Sequence, residues 1–169
     1  MRGREVRLTP DDQLKLSELK SILEYFIHRY KLTLPDILQA LGEKEHLIPA
    51  SIFNEDLSVL ETVVKYLKEN QQLKYHAIAL LIGRDERNIW HMYHAAAKKH
   101  PPLFDIGDSI YYIPASILKD PKYSALETLT RFMKDSLGLA YHEIASSLKR
   151  DQRTIWTVYN RSRKKNGKQ

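Results

Sequence analysis

Residues 58–99 read SVLETVVKYLKENQQLKYHAIALLIGRDERNIWHMYHAAAKK, and residues 124–165 read SALETLTRFMKDSLGLAYHEIASSLKRDQRTIWTVYNRSRKK. The two stretches are identical at 18 of 42 aligned positions. Ahead of each stretch a five-residue segment recurs letter for letter, as Ile48-Pro49-Ala50-Ser51-Ile52 and as Ile113-Pro114-Ala115-Ser116-Ile117. The chain therefore contains two copies of one structural unit, which we call the first and second repeats.

Each repeat is predicted to form three helices. The first helix opens with a capping box, in which a serine oxygen and a glutamate carboxylate bind free backbone amides at the helix start. The two boxes are Ser58-x-x-Glu61 and Ser124-x-x-Glu127. A short second helix is expected from about Lys74 to Ile82 in the first repeat. After a turn, Asp85 or Asp151 suits the N-cap of a third helix.

A short helix, a tight turn and a longer helix with polar outer positions form the helix-turn-helix arrangement, whose second helix enters the major groove of DNA. At 100° per residue, Ile89 and Tyr93 face the core in the first repeat, as Ile155 and Tyr159 do in the second. The opposite side carries groups that can hydrogen-bond base edges or phosphates. The candidate DNA-binding residues are Arg87, Asn88, His91, His94 and Lys98 in the first repeat and Arg150, Arg153, Thr154, Thr157, Asn160, Arg161, Lys164 and Lys165 in the second.

The positive charge of the chain lies on these third helices. The whole chain carries a net charge of +6, whereas residues 84–99 carry +2 and residues 150–165 carry +5. The remaining residues therefore sum to −1. This distribution favours a nucleic-acid partner and predicts that the second repeat contributes more of the affinity.

One further pattern in the second repeat consists of Leu139-Ala140-Tyr141-His142-Glu143-Ile144-Ala145, Leu148, Arg153-Thr154-Ile155 and Arg161-Ser162-Arg163-Lys164-Lys165. It resembles the helix-turn-helix of the fourth region of bacterial sigma factors and related regulators, over roughly 30 residues of each repeat. In that family the second helix reads promoter DNA, so the resemblance implies this role for Arg153, Thr157 and Asn160. The chain has nothing similar to the core-promoter-melting region of a sigma factor. Tandem helix-turn-helix proteins of this general kind are the closer analogy.

The predicted fold is all-α, with about eight helices. Residues 1–47 form an N-terminal helical segment, which is a truncated repeat or an interaction helix. Residues 48–100 form the first helix-turn-helix unit, residues 101–112 a linker with the dipeptide Pro101-Pro102, and residues 113–169 the second unit with a basic C-terminal tail. The strand-like composition of Ile110-Tyr111-Tyr112-Ile113 suggests that a short extended segment enters each unit.

The N-terminal segment contains an amphipathic helix and a shorter second helix. The first opens at Thr9-Pro10, with proline at the first helical position. Its apolar side consists of Leu16, Leu19, Leu23, Phe26, Ile27 and Tyr30. The second helix is expected over residues 33–41, opened by Thr33-x-x-Asp36.

The composition of the chain argues against several classes of protein. No apolar run approaches the roughly 18 residues that a membrane span needs, and the N-terminus lacks the apolar core of a signal peptide. A cytoplasmic protein is expected, nucleoid-associated if the source is prokaryotic. The chain has no Cys, which excludes disulfides and thiolate chemistry. No cofactor and no enzymatic activity are expected, because Gly-rich phosphate loops and nucleophile elbows are absent from the sequence.

Two pairs of side chains have competing interpretations. His91 and His94 lie one helical turn apart and could ligate a metal, but without a third ligand an outward-facing polar pair is favoured. That pair could make DNA binding by the first repeat pH-dependent. Trp90 and Trp156 lie on the flank of the third helices, where packing is favoured over a phosphate contact through the indole N–H.

The predicted function is sequence-specific binding of double-stranded DNA by two tandem helix-turn-helix units, in transcription regulation. The alternatives are a protein-interaction scaffold built from such units, which Ala95-Ala96-Ala97 would suit, and a non-specific DNA-organising protein. RNA binding is a third possibility, but the sequence contains no recognisable stacking platform for RNA bases. The predicted partners are double-stranded DNA, RNA polymerase or another protein bound through the N-terminal helix, and a second copy of the chain.

Overall fold

The structure is a computed structural model that describes residues 9–33, 36–37 and 45–166. It divides into two units, Met1–Glu45 and His46–Gln169, and both repeats belong to the second. Seven α-helices have bounds within the described residues, and the chain is broadly all-α, as predicted. They are α1 (Pro10–Tyr30), α2 (Val59–Glu69), α3 (Tyr75–Ile82), α4 (Glu86–Lys99), α5 (Ala125–Arg131), α6 (Tyr141–Leu148) and α7 (Gln152–Asn166).

Helix α1 begins as the sequence predicts. Thr9 and Asp12 form a reciprocal capping box, in which the Asp12 amide donates to Thr9 Oγ1 at 3.2 Å and the Thr9 amide donates to Asp12 Oδ2 at 3.1 Å. On its predicted apolar side Leu19, Ile27 and Tyr30 are exposed. The side chains of Leu16 and Phe26 lie outside those that the structure describes. Much of this apolar side is therefore open to solvent.

The predicted helix over residues 33–41 lies mostly outside the described residues. Asp36 and Ile37 are helical, and the Ile37 amide donates to the Thr33 carbonyl at 3.1 Å. The Thr33 amide donates to Asp36 Oδ2 at 2.7 Å, which is half of a capping box.

Each repeat opens with a three-residue strand, which confirms the extended segments expected from the sequence. Strand β1 (Leu47–Pro49) pairs with β2 (Tyr112–Pro114) in an antiparallel sheet of two strands, with Ile48 opposite Ile113. A 3₁₀ turn follows each strand, over Ala50–Ile52 and Ala115–Lys119. The proline that ends each strand removes a backbone donor and so limits the pairing to this length.

The first helix of each repeat begins at its predicted capping box. Ser58 N donates to Glu61 Oε2 at 2.8 Å, and Ser124 N donates to Glu127 Oε2 at 2.7 Å. Helix α5 continues into a π-helical turn at Phe132–Ser136, whereas α2 runs without one to Glu69. The two first helices are therefore started by the same local chemistry and end differently.

One apolar core contains side chains of both repeats. Ile78 and Ile89 in the first repeat, with Ile144 and Ile155 in the second, are fully buried. Each such side chain contributes on the order of 2 kcal/mol by leaving water. Because the core is continuous, the repeats form one body and not two separate domains.

The segment over residues 101–112, predicted as a linker, is packed against the first repeat. Phe104 is buried, and its carbonyl accepts a hydrogen bond from Asn70 Nδ2 at 3.0 Å. The Ser51 hydroxyl donates to the Ile106 carbonyl. The connection between the repeats therefore belongs to the compact unit.

The turns before the third helices need left-handed backbone. Gly83 has φ +63°, and a Cβ on it would lie 2.5 Å from the Lys119 carbonyl oxygen of the second repeat. Lys149 holds the same place in the second repeat with φ +51°. Glycine is thus required in the first repeat by a close approach, and the second repeat tolerates a side chain there.

We predict that Gly83→Ala lowers the free energy of unfolding by more than about 2 kcal/mol, because alanine adds both a left-handed strain and a backbone clash. Gly138→Ala is the matched control, since Gly138 has φ +71° and nothing within 4 Å of its added Cβ. The control should cost about 1 kcal/mol in urea unfolding. Equal losses in both variants would contradict the close packing of Gly83 on Lys119.

Candidate nucleic-acid interface

The third helices begin at the two predicted aspartate caps. Asp85 Oδ1 accepts from the amides of Arg87 at 3.0 Å and Asn88 at 3.2 Å. Asp151 Oδ1 accepts from the amides of Arg153 at 2.8 Å and Thr154 at 3.3 Å. The caps fix the first turn of each helix, where the outward polar side chains start.

The core sides of α4 and α7 are those that the helical period predicts. Ile89 and Ala96 are buried in α4, and Ile155, Val158 and Ser162 are buried in α7. Nine of the thirteen candidate residues are exposed without an inward bond to another element. They are Arg87, Asn88, His91, His94 and Lys98 in α4 and Arg153, Thr154, Thr157 and Lys164 in α7.

The same pair of tyrosines holds each third helix against the helices before it. The rings of Tyr75 and Tyr93 lie 5.8 Å apart, as do those of Tyr141 and Tyr159. A lysine ammonium lies 4.9 Å from the centre of the first ring of each pair, supplied by Lys68 or Lys134. The residues that are identical in both repeats therefore include those that position the third helix.

Tyr159 adds a hydrogen bond to this packing. Its hydroxyl donates to Asp135 Oδ1 at 2.7 Å, and this bond, with burial, raises the pKa of Tyr159 to about 12. The phenol keeps its proton at neutral pH, and its hydrogen bond ties α7 to the π-helical turn that follows α5. In the first repeat, burial and the nearby Glu69 carboxylate likewise raise the pKa of Tyr93.

Two candidate residues of the second repeat bind a buried carboxylate. Arg161 Nε donates to Glu127 Oε1 and Lys165 Nζ donates to Glu127 Oε2, each at 2.7 Å. The Glu127 side chain is fully buried. Burial alone would raise its pKa, but the hydrogen bonds from Lys165, the Ser124 amide and Arg161 outweigh burial and lower the pKa of Glu127 to about 2. These two cations therefore neutralise a core carboxylate.

The first repeat has a smaller version of this cluster. Lys99 Nζ donates to Glu61 Oε1 at 2.7 Å, and Ala95 stands where the second repeat has Arg161. Burial raises the pKa of Glu61, but the hydrogen bonds from Lys99 and Ser58 outweigh burial, so the pKa of Glu61 is also lowered. The repeated capping glutamate and the repeated lysine at the helix end were the sequence signal for these contacts, and sequence reasoning missed it.

Two more candidate residues hydrogen-bond within the protein. The Arg150 guanidinium donates to the carbonyl oxygens of Asn54, at 2.7 Å, and Leu57, both in the first repeat. Asn160 Nδ2 donates to the Trp156 carbonyl of its own helix at 2.9 Å. Arg150 therefore joins the repeats, and Asn160 is less available to a ligand than its place on the helix suggests.

The difference in exposed positive charge between α4 and α7 is smaller than the sequence indicates. Arg153, Arg163 and Lys164 are the exposed cations of α7 outside the Glu127 cluster, whereas Arg87 and Lys98 are those of α4 outside the Glu61 contact. Internal pairing thus reduces the excess of the second repeat, and both helices present cations to solvent.

The two tryptophans are exposed, contrary to the packing role favoured from the sequence. Trp90 is 44% exposed and Trp156 is 55% exposed. The Trp90 ring centre lies 4.0 Å from that of His94 and 5.0 Å from that of His91, both on the same helix. Neither indole is enclosed by the core, so a contact with a bound partner stays open for both.

The described residues carry no group of three or more His, Cys, Asp or Glu side chains that could hold a metal ion. Within the same residues no helix is long and apolar enough to cross a membrane. Comparisons with protein families, curated proteins and solved structures found no match for this chain. Its function is therefore inferred from its own residues.

We predict that Glu127→Gln lowers the free energy of unfolding at pH 7 by about 3 kcal/mol, because the variant loses a carboxylate whose pKa is lowered from its usual value of 4.5 to about 2 in the folded protein. A depressed folded pKa stabilises the protein above pH 4.5, and this contribution is lost as the pH falls towards 2. Urea unfolding of both proteins across this range should therefore show the difference shrinking with acidity. Glu61→Gln is the matched control, with a smaller effect because one cation contacts Glu61. A constant difference across the range would contradict the assignment.

Proposed function

We propose that the protein binds double-stranded DNA through its two third helices, α4 and α7, and that it acts in transcription regulation. The observation that carries the proposal is the side that each helix leaves exposed. In both repeats the side opposite the buried isoleucine begins with an arginine, Arg87 or Arg153, and ends with a lysine, Lys98 or Lys164. Arginine can bind guanine edges in the major groove, and lysine suits phosphates.

The turn ahead of each helix supports the same proposal. Helices α3 and α4 are separated by Gly83, Arg84 and Asp85, and α6 and α7 by the equivalent three residues. A short helix, a three-residue turn and a longer helix make up the DNA-binding arrangement in which the longer helix enters the groove. The exposed Trp90 and Trp156 lie on the flanks of these helices, where an indole N–H reaches the phosphate backbone in this proposal.

We expect Arg153→Ala to reduce discrimination between a selected DNA site and an unrelated duplex by about 5- to 100-fold, because a bidentate contact to guanine is lost. Thr157→Ala should change the preferred base at one position with a smaller effect on affinity. Selection from a random duplex pool followed by gel-shift titration measures both. Arg29→Ala removes the same charge from α1 and serves as the control. Unchanged discrimination in both α7 variants would contradict the assignment of α7 as a reading helix.

Lys164 and Lys165 are adjacent and should behave differently. Lys164→Ala should weaken binding to all sequences alike and reduce the slope of log affinity against log salt by about 1, with stability unchanged. Lys165→Ala should instead lower stability, because Glu127 loses one of its two cations. Duplex titrations at several salt concentrations, with urea unfolding of the same variants, separate the two roles. The reverse pattern would contradict the Glu127 contact.

The second candidate function is a protein-interaction scaffold. The exposed indoles and the nearly neutral middle of α4, with His91, His94 and Ala95 outward, favour it. Exposed apolar side chains of α1, including Leu19 and Ile27, suit a protein partner, for which RNA polymerase, another protein and a second copy stay predictions. Titration against DNA and RNA duplexes at two salt concentrations separates the candidates, since a scaffold binds neither duplex in a salt-dependent manner.

A further inference from the structure

The strand pairing shows how the two repeats are related. Ile48 and Ile113 are equivalent residues of the two repeats, and they face each other at the centre of the antiparallel pair. On either side the partners exchange, so that Leu47 lies opposite Pro114 and Pro49 lies opposite Tyr112. Such reciprocal pairing, in which residue i contacts j and the equivalent of j contacts the equivalent of i, is the mark of a twofold axis.

The reciprocity continues beyond the strands. The Ala50 amide donates to the Tyr111 carbonyl at 2.9 Å, and the equivalent Ala115 amide donates to the His46 carbonyl at 2.8 Å. A simple translation of one repeat onto the next would not produce these exchanged bonds. The approximate twofold axis therefore passes through the Ile48–Ile113 pair.

The turns ahead of the third helices cross between the repeats in the same exchanged way. Gly83, before α4, lies against Lys119 of the second repeat. Arg150, before α7, donates to the Asn54 and Leu57 carbonyls of the first repeat. The turn ahead of each third helix thus contacts the opposite repeat, and the twofold relation extends to the start of the helices that we propose enter DNA.

A twofold relation between reading helices selects the symmetry of the DNA site. Duplex DNA has local twofold axes of its own, and the pseudopalindromic sites of dimeric helix-turn-helix proteins mirror the symmetry of those proteins. We infer that this single chain reads an inverted repeat, as a dimer does, and not a direct repeat. This inference rests on the proposed function.

The two halves of the site should be related but unequal. At the first outward position both helices have arginine, Arg87 and Arg153, whereas the next outward positions differ. Asn88 is replaced by Thr154 in the second repeat, and His91 is replaced by Thr157. Arginine favours guanine, asparagine favours adenine, and threonine contacts several bases. The two half-sites should therefore have the same base pair where arginine binds and different base pairs at the neighbouring positions.

The test starts from the sites that the full chain enriches from a random duplex pool. The expected result is a two-part inverted repeat. Reversing one half to make a direct repeat should lower affinity by about 10- to 100-fold, as should adding half a helical turn between the halves. Enrichment of direct repeats or single half-sites, or equal affinity for the reversed site, overturns the inference and leaves DNA binding standing. Absence of salt-dependent binding to any duplex overturns the proposed function and the inference together.

An exchange of side chains tests the assignment of the halves. The double substitution Asn88→Thr with His91→Thr gives α4 the residues that α7 has at these two outward positions, which are exposed in both helices. Sites selected by this variant should become more nearly palindromic, converging on the half read by α7. The reciprocal exchange, Thr154→Asn with Thr157→His, should converge on the other half. Selected sites that keep the asymmetry of the wild type in both variants overturn the assignment.

Discussion

The antiparallel pairing of Ile48 with Ile113 is the contact on which the arrangement of the repeats depends. Three residues from each repeat form the sheet, and both central isoleucines are fully buried. Because the strands are short and end in proline, the strand pairing alone would hold the repeats together only weakly. The shared apolar core and the exchanged contacts of Gly83 and Arg150 add to the stability of this arrangement. The result is one body with an approximate twofold axis, made by duplication within a single chain.

Within each repeat, a polar framework holds the third helix while leaving one side open. The tyrosine pairs and the aspartate caps recur in both copies, and so does the lysine bond to the capping glutamate. In the second repeat Arg161 joins that lysine, so two cations are used to compensate the buried charge of Glu127. The exposed side of α7 is consequently less basic than its sequence, and the two repeats present more similar faces to solvent.

Many features of the fold and the candidate interface could be predicted because they are local. A capping box joins residues three positions apart, and a core side follows from the helical period, so the helix starts and the burial of Ile89 and Ile155 were accessible. The roles of Arg150, Arg161 and Lys165 were not, because their partners lie 34 to 96 residues away in the chain. The exposure of Trp90 and Trp156 likewise depends on how closely neighbouring helices approach, which a single helical wheel does not contain.

By itself the sequence determined that the chain is helical, that it contains the same unit twice, and which side of each third helix faces the core. Residue identities repeated at a constant spacing, together with local hydrogen bonds and apolar periodicity, suffice for these features. Only the tertiary structure decided that the repeats are related by a twofold axis and which cations remain exposed. Those properties arise from contacts between segments distant in sequence, and a repeat pattern is the same whether its copies are related by translation or by rotation.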